Sequence, residues 1–194
     1  MQALSKDNNG IKYLLIVIDV FSKFVWIVPL KLKTEQKVAN AFSRILKERR
    51  PSKMWVDRGC EIYNKDVRKK VELHSTENEE KSCVIARFNR TIKENMFKYF
   101  SANNTRKYVD VLELLVDQYN NTIHSSTKMT PMEASRKEND NKVWKNLYPE
   151  FVGKSLTPKF SIGDHVRITK KKKYLIKDTI NDGLKRFLQF LKFN

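Results

Sequence analysis

The order of apolar runs in the first third of the chain limits the fold more than any other feature of the sequence. Residues 11–20 form a β-branched and aromatic run that follows a turn-forming segment and is typical of a buried strand. A short reversal leads to a second run at residues 24–30, which predicts a hairpin. A helix capped by Thr34 and a strand at residues 53–56 come next. Because strand, helix and strand in this order indicate a parallel crossover, the sequence predicts an α/β sheet.

Two more helices are predicted from apolar residues at helical spacing. The first begins at a capping box, residues 76–79, and the second opens near Thr105. The apolar stripe of the first helix consists of Val84, Ile85, Phe88, Ile92, Met96 and Tyr99. That of the second consists of Tyr108, Leu112, Leu115, Tyr119 and Ile123. Stripes of this kind are usually core, and a short helix is expected further on, around residues 132–137.

The chain carries a large excess of positive charge. Its 194 residues include 39 Lys and Arg against 22 Asp and Glu, which gives a formal net charge of +17. Each phosphate that a cation neutralises releases a condensed counterion, so a strongly basic chain favours a polyanionic partner such as DNA. A well-solvated basic surface is the alternative. The final segment, residues 154–194, has 11 basic and 3 acidic residues, a local net charge of 11 − 3 = +8.

The cysteine content and the apolar runs exclude several classes of protein. Cys60 and Cys83 form no Cys-x-x-Cys pair, and their spacing from the three histidines predicts neither a disulfide framework nor a zinc finger. We therefore expect reduced thiols and an intracellular, soluble protein. The longest apolar run, residues 13–18, is too short to span a bilayer, so no membrane partner is expected.

Asp57 is the main candidate for phosphodiester chemistry. It follows the predicted strand at residues 53–56, and Gly59 behind it would let a substrate backbone approach. Transfer of a phosphodiester commonly uses two Mg²⁺ ions about 3.5 to 4 Å apart, which a cluster of carboxylates must hold. On its own, an Asp-x-Gly sequence at a strand end is more often a turn.

Several short motifs occur in an order that resembles the integrase core of retroviruses and mobile elements. They lie at residues 18–23, 55–64, 76–82, 87–93, 119–124 and 130–131. The resemblance covers roughly residues 5–148 and is closest to integrases of Maverick or Polinton transposons and of retrotransposons. It implies a ribonuclease H-like mixed sheet flanked by helices, two Mg²⁺ or Mn²⁺ ions, DNA integration by an Asp, Asp, Glu triad, and a homo-oligomer. Residues 160–167 resemble the first strand of the small SH3-like domain that such proteins carry.

The chain departs from this family at two of the three carboxylates. Asp57 matches the middle aspartate, but Ala86 stands at the position of the glutamate. The strand of the first aspartate would lie upstream of residues 5–10, so we expect an N-terminally truncated core that does not bind metal stably. Asp19 and Glu61 could reach a weakened metal site. The structural alternatives are a turn-forming acceptor before Ser22 for Asp19 and a solvated residue for Glu61.

The resemblance predicts three regions and a set of nucleic-acid-binding side chains. The regions are an integrase-like core at residues 1–126, a helical connector at 127–155 and a basic tail at 156–194 that begins like an incomplete SH3-like barrel. The candidates for nucleic-acid binding are Lys81, Arg87, Asn89, Arg90, Lys93 and the run Lys170, Lys171, Lys172 and Lys173. That run could equally be a nuclear-import signal, and a nuclear location is expected.

The leading hypothesis is a mobile-element, integrase-like protein that binds DNA and has little or no strand-transfer activity. One alternative is an active polynucleotidyl transferase that uses Asp57 with substitute acids. A second is a DNA-binding or partner-binding module that serves a host. A third is a decayed reading frame whose product folds poorly.

Overall fold

The computed structural model of the chain describes residues 1–49, 51, 53–56, 72–75, 83–152, 165 and 187–192. The strands in this part of the chain are β1 (Tyr13–Asp19), β2 (Val25–Leu30), β3 (Lys53–Val56), β4 (Glu72–Ser75) and β5 (Phe187–Lys192). The α-helices are α1 (Glu35–Glu48), α2 (Cys83–Asn103), α3 (Leu112–Asn120), α4 (Pro131–Ala134) and α5 (Asp140–Leu147). Short 3₁₀ turns occupy Gln2–Leu4, Lys137–Asn139 and Pro149–Phe151. None of the helices described is long and apolar enough to cross a membrane.

The strands form one mixed sheet in the order β2-β1-β5-β3-β4. β1 is antiparallel to β2, as the predicted hairpin requires, and the two strands pair from Tyr13 with Leu30 to Ile18 with Val25. β5 is antiparallel to β1 and parallel to β3, and β3 is parallel to β4. A mixed sheet with helices on its faces confirms the predicted α/β fold class.

Strand β1 separates two layers of core. Because neighbouring side chains in a strand point to opposite faces, Leu15 and Val17 join the cluster under α1. Leu14, Ile16 and Ile18 join the cluster under α2 and α3 on the other face. Burial on both faces explains why residues 11–20 form a nearly continuous apolar run. α1 and α2 therefore cover opposite sides of the sheet.

Four residues of the apolar stripe predicted for α2 are buried in the structure. Ile85, Phe88, Ile92 and Met96 are each at most 2% exposed. The predicted capping box at residues 76–79 lies outside the described residues, and the described helix starts at Cys83.

The prediction of a helix opening near Thr105 is wrong, because α3 begins at Leu112. The side-chain oxygen of the buried Asn8 accepts hydrogen bonds from the backbone N–H groups of Tyr108 and Val109, at 2.7 and 3.2 Å. These two donors bind a distant side chain rather than the carbonyl groups of a preceding helical turn. The short helix expected at residues 132–137 is shifted too: α4 starts at Pro131 behind a Thr130 capping box.

The position of β5 was not predicted from the sequence. Residues 187–192 belong to the predicted basic tail, but they form the central strand of the sheet. Apart from these residues and His165, the tail from residue 156 lies outside the described residues, as does the segment that resembles an SH3-like strand. The domain boundaries remain a prediction.

Candidate nucleic-acid interface

The exposed side of α2 carries a row of cations. Ile85, Phe88 and Ile92 face the core, whereas Arg87, Arg90 and Lys93 on the same helix are all exposed. Arg90 pairs with Glu94 at 2.9 Å, with the two side chains 82% and 54% exposed. An exposed pair of this kind contributes at most about 1 kcal/mol, so a phosphate could replace Glu94 at little cost. We name Arg87, Arg90 and Lys93 the basic face.

Ala86 lies exposed on the same helix, next to Arg87. Its methyl side chain has no oxygen with which to bind a cation, so the residue at which the resemblance predicts the family glutamate supplies no side-chain ligand. Asn89 differs from its basic neighbours because it is half-buried, and its Oδ1 atom is buried without a hydrogen-bond partner among the described residues. Asp57, Glu61, Lys81 and the run from Lys170 to Lys173 lie outside the described residues.

Asp19 is fully buried at the end of β1, and both of its oxygens are engaged. Oδ1 accepts a hydrogen bond from the backbone N–H of Phe21 at 3.0 Å. Oδ2 accepts from the Ser22 hydroxyl and from the Arg49 guanidinium, each at 2.8 Å. A carboxylate with these three donors has little capacity left for a divalent ion, so the contacts favour the turn-forming role over the metal-binding role.

Arg49 extends this network to two other elements. Its guanidinium also donates to the Ser135 carbonyl at 2.8 Å, and it lies 5.9 and 5.7 Å from the ring centres of Phe24 and Trp26. The Asp19–Arg49 pair thus ties the β1–β2 turn and the end of α1 to the residue after α4. In the described part of the chain, no three His, Cys, Asp or Glu side chains are grouped as metal ligands. Because Asp57 and Glu61 lie outside the described residues, the metal site of the family remains a prediction for this chain.

Beside the basic face lies a cavity of about 140 Å³, which we name the α2 cavity. The polar side chains in its wall come from the β1–β2 turn, from α2, from α3 and from the turn after α3. They are Lys23, Arg87, Thr91, Tyr119, His124 and Ser126. The sequence prediction gave a role to Arg87 alone, although Lys23 and His124 lie in motifs that carried the resemblance. Only the fold brings these segments together.

The protonation states of the α2 cavity follow from burial and from the two cations. Burial lowers the pKa of His124, and the charges of Lys23 and Arg87 lower it further, which favours a neutral imidazole at neutral pH. The Ser126 hydroxyl lies 3.1 Å from Nδ1 of this ring. Burial raises the pKa of Tyr119 to about 12, with Arg87 opposing the shift, so its hydroxyl keeps its proton. The Tyr119 ring meets Phe88 edge-on, 4.7 Å between centroids.

Comparison with solved structures identifies the fold. The catalytic core domain of HTLV-2 integrase, solved in complex with magnesium, matches with a TM-score of 0.55 at 17% identity, over 65% of this chain and 86% of that one. A chain of the simian T-cell lymphotropic virus intasome matches with a TM-score of 0.57 at 17% identity, over 86% of this chain and 56% of that one. The fold is an integrase-like, ribonuclease H-like core.

The integrase-like core also has a curated relative. A transposon-derived protein of Caenorhabditis elegans is 33% identical over 179 residues, which is 89% of this chain and 60% of that protein. The chain thus spans about three-fifths of the length of this relative. No protein-family model matches the chain.

Proposed function

We propose that this chain is a mobile-element, integrase-like protein that binds DNA through the basic face of α2 and has little or no strand-transfer activity. The integrase-like fold and the transposon-derived relative support the general assignment. The observation that supports DNA binding without strand transfer is the presence of both Ala86 and the basic face on α2. One side of α2 has three exposed cations and an exposed alanine, Ala86, where the resemblance predicts the metal-binding glutamate.

The basic face has the chemistry to position DNA without reading its sequence. Phosphate contacts from Lys and Arg fix the register of a duplex and supply most non-specific affinity. Arg90 can exchange its exposed pairing with Glu94 for a phosphate, and the buried stripe holds the helix rigidly on the sheet. The trimeric form of the HTLV-2 core and the intasome assembly support a homo-oligomer for this chain. We further propose that it acts in the nucleus.

The salt dependence of duplex binding tests the DNA-binding proposal. We expect log Kd to depend linearly on log salt concentration, and Lys93→Ala to lower the slope by about 1, because one phosphate contact is lost. Lys47→Ala is the matched control, since Lys47 is an exposed lysine on α1, which covers the opposite side of the sheet. Binding that ignores salt, or equal slopes for the two variants, would contradict the assignment of the basic face.

Strand transfer is tested separately from binding. Purified protein is incubated with Mn²⁺ and a DNA duplex that carries a transposon-end sequence, and nicked or joined products are measured. We expect none above background. Products that Asp57→Ala abolishes would show an active enzyme and refute this half of the proposal.

A further inference from the structure

The α2 cavity has a lining that suits a small, highly charged anion. It is lined by the cationic residues Lys23 and Arg87 and by the hydroxyl-bearing residues Thr91, Tyr119 and Ser126, and its described lining includes no carboxylate. A phosphate group presents several strong acceptor oxygens, and its hydrogen bonds to cationic donors are about twice as strong as neutral ones. The planar fork of Arg in particular matches phosphate geometry.

Two positively charged residues, Lys23 and Arg87, line the cavity. Lys23 is 7% exposed, and its ammonium donates to the Val20 carbonyl, which fixes a cation within the β1–β2 turn. The charges of Lys23 and Arg87 both lower the pKa of His124. Since charges in a partly buried site are screened much less than exposed ones, an anion held here is attracted more strongly than one on the open basic face.

The size and position of the cavity narrow the choice of anion. A cavity of about 140 Å³ is small, and it suits a single phosphate group better than a stretch of several nucleotides. Arg87 lines the cavity and also belongs to the basic face, so a terminal phosphate in the cavity would lie next to the phosphates bound along α2.

We propose that the α2 cavity binds the terminal phosphate of a DNA strand. This site rests on the proposed DNA-binding function and gives it a specific feature, namely a preference for phosphorylated ends. Arg87 would contact the phosphate at the exposed mouth, and the Tyr119 hydroxyl would contact it from the wall.

The first experiment uses inorganic phosphate and follows the imidazole signals of His124 by NMR across a pH titration. A bound anion offsets the charges of Lys23 and Arg87, so phosphate should raise the pKa of His124. The same titration of Arg87→Gln should show a smaller rise. An unchanged His124 pKa at saturating phosphate would overturn the proposal.

The second experiment compares three duplexes that differ only in a 5′-phosphate, a 3′-phosphate or hydroxyl ends. We expect one phosphorylated duplex to bind about tenfold tighter than the hydroxyl duplex. Tyr119→Phe should reduce this preference several-fold, because it removes a donor and keeps the ring against Phe88. Lys47→Ala should leave the preference unchanged.

The outcomes separate this site from the broader function. Equal binding of all three duplexes, with the salt slope of the basic face intact, would overturn the terminal-phosphate site and leave the DNA-binding proposal standing. Failure of every duplex to bind would overturn both. A preference that survives in Tyr119→Phe and in Arg87→Gln would place the phosphate elsewhere and refute the site.

Discussion

Replacing Asp19 distinguishes a turn-forming role of this side chain from a metal-binding role. In Asp19→Ala, the Arg49 guanidinium, the Ser22 hydroxyl and the Phe21 N–H all lose their acceptor. Asp19 is fully buried and Arg49 is only 20% exposed, and removing one partner of such a pair costs about 3–5 kcal/mol. Out of a total stability of about 5–15 kcal/mol for a protein domain, this loss should lower the Tm by about 10 °C. Asp19→Asn keeps an acceptor oxygen and should lose about 2 kcal/mol.

Urea unfolding followed by tryptophan fluorescence measures these differences, with and without Mn²⁺. Asp110→Ala is the matched control, because Asp110 also pairs with a cation, Lys107, at 2.6 Å, but both side chains are about half exposed. The control should change stability by less than about 1 kcal/mol. If Asp19→Ala were as stable as the control, or if Mn²⁺ stabilised the parent chain and not Asp19→Ala, the turn-forming role would be refuted.

Three further predictions concern the core, the central strand and the cavity. Tyr108→Phe should leave stability unchanged or raise it by up to about 1 kcal/mol, since the buried Tyr108 hydroxyl has no partner among the described residues; a clear loss in urea unfolding would contradict this. Gln189→Pro removes an N–H from the strand that pairs with both Ile18 and Trp55, so it should lower the Tm far more than Gln189→Val; equal effects would count against β5 as a central strand. Because burial and two cations lower the pKa of His124, the folded state binds fewer protons than the unfolded one as the pH falls below 6.5. Stability should therefore decline as the pH falls through about 6.5 and on through the lowered pKa of His124, and by less in His124→Gln; an identical decline in both would exclude this cause.

The parts of the fold that the sequence predicted are those that local patterns determine. β1, β2 and α1 follow from continuous or helical apolar spacing, and the exposure of Arg87 and Lys93 follows from their places between buried positions. The start of α3 could not be predicted in this way, because it depends on Asn8, about 100 residues away in the chain.

The same limit applies to the candidate site. Nothing in the sequence indicates that Lys23, Tyr119 and His124 line one cavity, since they come from a hairpin turn, a helix and a later loop. Asn89 follows helical spacing, yet it is half-buried where its neighbours are exposed. Residues 187–192 have no strict alternation, and their pairing partners lie far upstream, so no local signal indicated a central strand.

The central position of β5 also determines when the sheet can be completed during synthesis of the chain. β1 and β3 each pair with β5 and not with each other, and the pairing of Ile16 with Leu191 joins residues 191 − 16 = 175 positions apart. A growing chain emerges from the ribosome at about 5–20 residues per second, so the hairpin and the β3–β4 pair must wait several seconds for the strand that unites them. Such non-local closure slows folding, and a nascent chain stalled before residue 187 would expose two unpaired strand edges to aggregation or to a chaperone.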